Sequence, residues 1–160
     1  MKLTLHVVGR MKSGPETELF SRYFERAKSL AKSQGVQNIS LIEYSESKAK
    51  RSDDRKVQEA QAILEKLDKR DAVIVLDEGG KTITSHGFAE LITDNRDNVG
   101  ADVAFVIGGA DGLDHILKQR ALRKVSFGAM TMPHQLVRVL LSEQIYRALS
   151  IMAGHPYHRV

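Results

Sequence analysis

Hydrophobic positions along the chain follow two alternating periods. Leu3, Leu5 and Val7 alternate with Thr4, His6 and Val8, the two-residue repeat of a strand with one better-buried face. Residues 38–44 and 124–127 predict further strands, and the unbroken runs Ala72 to Leu76 and Val103 to Ile107 predict two strands buried on both faces. Helical spacing fills the intervals. Leu19, Tyr23, Ala27, Leu30 and Ala31 follow Pro15, a residue suited to a first helical position, and stop at Gly35. Val57, Ala60, Leu64 and Leu67 form a second stripe. Phe88, Leu91 and Ile92 form a third behind a capping Ser85. Leu113, Ile116 and Leu117, opened by Asp111, give a fourth helix to about residue 122, and Pro133 opens a long fifth through Met152 to a stop at Gly154. Residues 45–56 carry charge without a stripe and predict a mobile loop. Alternating strands and helices imply an α/β fold, a mostly parallel sheet covered by helices. No repeat or linker interrupts it, so residues 1–160 are expected to form one domain.

The strand at 103–107 runs into Gly108-Gly109-Ala110-Asp111-Gly112. Glycines past a strand end let backbone approach a ligand without a Cβ in the way. In open α/β sheets, ligands gather beyond the carboxyl ends of the strands. Similar loops follow Leu76 and Phe127, and if their strands are neighbours the three enclose one flat apolar ligand. The glycine spacing matches neither a P-loop nor the dinucleotide fingerprint, which disfavours a nucleoside triphosphate and leaves an adenosyl ligand open.

Composition narrows the chemistry. The chain has no cysteine, which removes disulfides, thiolate metal sites and cysteine nucleophiles together. No stretch reaches the length of a membrane span and residues 2–6 read as a strand rather than a leader, so a cytoplasmic protein with no membrane partner is expected. The net charge of +4 is uneven. Residues 103–160 carry seven Lys or Arg against Asp111, Asp114 and Glu143, while the first 102 residues balance. A basic excess in the half holding the glycine turn points to a polyanionic partner such as nucleic acid.

The stretch His155-Pro156-Tyr157-His158-Arg159-Val160 is rich in groups that recognise bases. Tyr stacks, Arg holds phosphate or a base edge, and His accepts a proton near neutral pH. Metal binding is disfavoured, because no nearby carboxylate or thiolate completes a set with His155 and His158.

Taken together, Leu76-Asp77, Ile107-Gly108-Gly109 with Gly112, residues 131–138 (TMPHQLVR), residues 143–148 (EQIYRA) and the HPYHR stretch resemble the RlmH family. These are large-subunit ribosomal RNA pseudouridine N3-methyltransferases of the SPOUT superfamily. The resemblance covers the whole chain and is most specific from Ile107 onward. Ala110 stands where the family often has Pro, and Met130 and Met132 where Leu is frequent.

The resemblance implies a C-terminal trefoil knot, a homodimer and S-adenosylmethionine as cofactor. It implies a cofactor pocket lined by Leu76, Gly108, Phe127, Gly128, Ala129, Met130, Thr131 and Met132. The implied substrate is a pseudouridine of 23S rRNA in the assembled ribosome. His158 is the leading proton acceptor, with Tyr157 and Arg159 orienting the base, across the dimer interface. His134 and Arg138 are alternatively packing and dimer residues. No metal is expected. The rival expectations are a SPOUT enzyme acting on tRNA, a non-catalytic ribosome-binding module and a nucleotide-binding α/β protein.

Overall fold

The expected alternation is present. A computed structural model describes residues 1–158, built as β1 (Lys2–Val8), α1 (Pro15–Ala31), β2 (Asn38–Tyr44), α2 (Ser52–Leu64), β3 (Ala72–Thr82), α3 (Ser85–Asp94), β4 (Val103–Ile107), α4 (His115–Arg120), β5 (Arg123–Ser126) and α5 (His134–Met152). The strands form one sheet in the order β2-β1-β4-β3-β5, with every pairing parallel. Arg159 lies outside the described residues.

Strand alternation sorts the side chains into two cores. Leu3, Leu5, Val7, Ile74, Phe105 and Ile107 face α1, α3 and α5, where Phe88 stacks on Phe105 with ring centroids 5.5 Å apart. Val8, Val73, Val75 and Val106 face the other way, onto Ala60 and Ile63 of α2 and Leu117 of α4. All five residues of β4 are buried, as expected for a strand covered on both faces. Burial of this kind contributes about 1.5–3 kcal/mol for each large apolar side chain.

Four local expectations are corrected. Residues 52–56 are the first turn of α2, not loop: Asp53 and Asp54 suit a helix N-terminus, and a polar first turn faces solvent without a stripe. The cap of α3 is Thr84, whose hydroxyl accepts from Gly87 N–H at 3.1 Å, one residue before Ser85. Asp114, not Asp111, caps α4, accepting from Ile116 N–H at 2.9 Å, and that helix ends at Arg120. The strand through Leu76 does not end there. After an irregularity at 77–80, Lys81 and Thr82 pair again with β5, and a Cβ on Gly80 would lie 2.8 Å from backbone atoms of Lys124 and Val125. Only glycine allows that approach.

Candidate active site

Because all five strands point the same way, their carboxyl ends share one edge of the sheet. At the ends of β3, β4 and β5 this edge opens into a cleft of about 370 Å³, within the usual range for small-molecule sites. Leu76 and Ile107 are in its wall, and the turn from Gly108 to Gly112 forms one side. Phe127, Gly128, Met130, Thr131 and Met132, from the segment between β5 and α5, form the other. Of the eight residues expected to share a pocket, only Ala129 is not among those lining it. The tight packing of the turn is visible at Gly108, where a Cβ would lie 2.9 Å from the Gly112 carbonyl carbon and 3.0 Å from Leu113 Cδ2.

The cleft also has polar walls that the sequence reading did not pick out. Asp77 pairs with Lys118, and Thr131 donates its hydroxyl hydrogen to Glu78 Oε2 at 2.9 Å. Burial alone would raise the Asp77 pKa, but hydrogen bonds from Lys118 and Gly79 N–H outweigh it and hold the carboxyl below its ordinary value. Lys56 reaches the cleft from α2. One residue earlier, Arg55 donates to both oxygens of Asp111, at 2.6 and 2.9 Å, and this hydrogen bonding lowers the Asp111 pKa. Glu59 is buried under Gly109; burial raises its pKa although Ser47 N–H donates to it at 2.9 Å. Arg55 and Lys56 fall in the charged stretch that predicts a loop, and Glu59 lies off the hydrophobic stripe of the second helix, so periodicity singles out none of them.

His134 lines the cleft at the start of α5, whereas Arg138 is 1% exposed and points into the protein interior. There it donates to Glu43 Oε1 at 2.5 Å, an oxygen that also accepts from Met11 N–H at 3.1 Å, and to the Gly9 carbonyl at 2.8 Å.

Tyr157 and His158 lie elsewhere, folded back along α5. Tyr157 donates to Glu143 Oε1 at 3.0 Å under the Arg147 guanidinium, 4.9 Å from its ring centroid. Burial first, then hydrogen bonding with Tyr23 and Glu143, raises the Tyr157 pKa well above its ordinary value. His158 sits between Arg147 and His86. No described residue after Val137 lines the cleft. The level of Glu143 is nine residues beyond His134, about 14 Å along the helix axis. Cleft and described tail are thus separate groups in this chain.

Among the described residues no cluster of three His, Cys, Asp or Glu could hold a metal ion, and no helix is long and apolar enough to cross a membrane.

Residues 1–158 match the family model described as "Predicted SPOUT methyltransferase". The chain is 48% identical over 159 residues to the ribosomal RNA large subunit methyltransferase H of Methylobacterium nodulans, covering 99% of this chain and 98% of that one. It is 46% identical over 160 residues to the protein of that name from Rhizobium leguminosarum bv. trifolii, covering all of both. Against that of Nitrobacter winogradskyi the identity is 48% over 159 residues, 99% of each.

Proposed function

Because the chain belongs to the SPOUT methyltransferase family, we propose that it moves a methyl group from S-adenosylmethionine to N3 of a pseudouridine in large-subunit ribosomal RNA. It works in the cytoplasm on the assembled ribosome, as a homodimer of single-domain subunits carrying the family's trefoil knot. The observation that carries this reading is the cleft at the ends of β3, β4 and β5. Full-length similarity to proteins named ribosomal RNA large subunit methyltransferase H supplies the substrate class.

The cleft's chemistry fits the cofactor. Leu76, Ile107, Leu113 and Met132 offer apolar contact to a purine. Glu78 offers a carboxylate to a hydroxyl or an ammonium, and Lys56 offers a cation to a carboxylate. Gly108 and the 127–132 segment bring backbone groups close. When bound, the cofactor supplies an electrophilic methyl group. The protein's own task is to hold the acceptor nitrogen in line with it at about 3–3.5 Å, which supplies most of the rate.

Pseudouridine N3 bears a proton that must leave. His158 accepts it, Tyr157 stacks on or orients the base, and Arg159 holds phosphate or a base edge. The 14 Å between cleft and tail along α5 favours a tail that serves the cleft of a second subunit. Exposed Met130, Leu136 and Leu140 beside the cleft supply an apolar face for that second subunit. The basic excess of residues 103–160 suits the RNA.

The test is transfer of labelled methyl to ribosomes lacking the modification, to isolated large subunits and to free tRNA, with the labelled nucleoside identified by mass. Label on pseudouridine in intact ribosomes is expected. Label on tRNA alone would overturn the substrate while keeping the reaction.

A further inference from the structure

Both ring nitrogens of His158 are engaged. Nδ1 lies 3.4 Å from Nη1 of Arg147, and Nε2 lies 3.2 Å from Nε2 of His86. A guanidinium has hydrogens to give and no lone pair to offer. Nδ1 of His158 is therefore the acceptor and its hydrogen sits on Nε2. That hydrogen is directed at Nε2 of His86, which must accept it and so carries its own hydrogen on Nδ1. One donor-only side chain fixes two tautomers. The rings meet edge to face, with centroids 4.8 Å apart and planes at 85°. Arg147 is itself held by Glu143, with Nε 2.9 Å and Nη2 2.5 Å from Oε1, the oxygen that also accepts from Tyr157. His86 stands in the first turn of α3, exposed to solvent.

We propose that His86 is a positioning and proton-relay residue, which fixes the ring of His158 and carries away the proton that methylation releases. This rests on the reading of the tail as part of the active site. Methylation replaces the N3–H bond of the acceptor with an N3–C bond, and the methyl donor leaves as a neutral thioether, so one proton is left over. The contact to Arg147, at 3.4 Å, is the longer of the two, and the incoming base displaces it. His158 Nδ1 takes the proton from N3, His158 Nε2 gives its own to His86 Nε2, and His86 Nδ1 gives one to water. Each imidazole ends neutral in the other tautomer and resets through solvent. A fixed acceptor already in hydrogen-bond contact spares His158 from holding a second positive charge beside Arg147.

The other groups facing this pair are Arg147 and Glu143 from α5, and Tyr23 from α1 through Tyr157. Glu90 and Asp94 share a groove with His86, and His155 accepts from Tyr157 N–H at 3.2 Å. Their titration is common to all the variants compared below.

The experiment pairs histidine ¹⁵N NMR on the free protein with turnover on unmodified ribosomes across pH. The spectrum is expected to find His158 protonated on Nε2 and His86 on Nδ1 at neutral pH. The opposite tautomer on either ring would overturn the proposal whatever the activity. His86→Ala is expected to lower kcat on the order of tenfold near neutral pH, with KM for ribosomes unchanged. The loss should shrink as pH rises and be reversed by added imidazole. His86→Gln keeps an acceptor at the same place but cannot pass a proton on, so it is expected to lose as much as His86→Ala. Wild-type kcat in His86→Gln would overturn the relay. Wild-type turnover in His158→Ala would remove the tail reading and the relay together. An impaired His158→Ala beside an unimpaired His86→Ala would sink the relay alone.

Discussion

Arg55 grips both carboxylate oxygens of Asp111, Nε to Oδ2 at 2.6 Å and Nη2 to Oδ1 at 2.9 Å. Two carbonyls anchor the guanidinium from behind, since Nη1 donates to Ala49 and Lys50 at 3.0 Å each. The segment after β2 is thereby tied through the start of α2 to the glycine turn after β4. Two connections 56 residues apart in sequence are joined beside the cleft.

Loss of that tie should loosen the wall without unfolding the protein. Arg55→Ala and Asp111→Asn are expected to weaken binding of S-adenosylmethionine by about tenfold, read by calorimetry. Thermal unfolding without the cofactor should barely shift, because the pair is solvent-accessible. Equal losses of affinity in the single and double variants would show that the two residues act as one contact.

Gly108→Ala tests the turn from the opposite side. The added methyl meets backbone rather than a flexible side chain, 2.9 Å from Gly112. The expected outcome is a destabilisation of about 1–3 kcal/mol from overpacking together with loss of cofactor binding. Gly14→Ala, where the nearest atom is a Glu16 carboxylate oxygen at 3.5 Å, is the matched control with neither effect.

Much of this arrangement was legible in the residues. The runs at 72–76 and 103–107 are apolar on both faces because helices cover both faces, and the glycines after 107 mark where the chain must turn tightly. What the pattern hid has physical causes. The start of α2 has charges for N-terminal turns, so hydrophobic periodicity misses it. The continuation of β3 past Leu76 depends on Gly80 meeting β5, a contact between residues far apart in sequence. The Asp77–Lys118 and Glu78–Thr131 pairs at the cleft likewise join separate segments, and no local spacing reveals which charges will meet. The part of the tail's setting supplied by His86 is hidden for the same reason.

Arg138 is a buried cation whose Nε has no partner among the described residues. Truncating it leaves the Gly9 carbonyl without its side-chain donor and Glu43 Oε1 with only Met11 N–H, at 3.1 Å, and it empties a buried site. Arg138→Ala should cost about 3–5 kcal/mol in urea denaturation. Glu43→Gln keeps an acceptor but leaves the buried guanidinium without its counter-charge, so it should cost a comparable amount.

If the tail serves a second subunit, two inactive variants should complement each other. Gly108→Ala lacks a working cleft and His158→Ala lacks a working tail. Mixed under exchange conditions, they form heterodimers in which one intact cleft faces one intact tail. Recovery of activity toward half of wild type per heterodimer is expected, and a mixture as inactive as its components would mean that each tail serves its own cleft.

His6 gives a pH signature of the fold. Its Nδ1 lies 2.7 Å from the Tyr44 hydroxyl, and burial lowers its pKa to about 4 while pushing that of Tyr44 up to about 12. The unfolded chain binds a proton to this ring below about pH 6.5 and the folded one does not until about pH 4. Stability from this site is therefore complete above pH 6.5 and lost as pH falls between 6.5 and 4, on the order of 2–3 kcal/mol. His6→Gln should flatten that portion of the profile in denaturant titrations.

The sheet order has a consequence for how the chain is made. β4 lies between β1 and β3, so a nascent chain that has emerged only through α3 has strands on either side of a slot one strand wide. Two unpaired strand edges stay open until residues 103–107 arrive, and such edges are templates for association with other chains. Synthesis from the amino terminus thus brings the central strand late, and the sheet closes by insertion rather than by growth at its rim. Ribosome-bound fragments ending before Val103 should be protease-sensitive and bound by chaperones, and protection should arrive abruptly once that strand has cleared the tunnel.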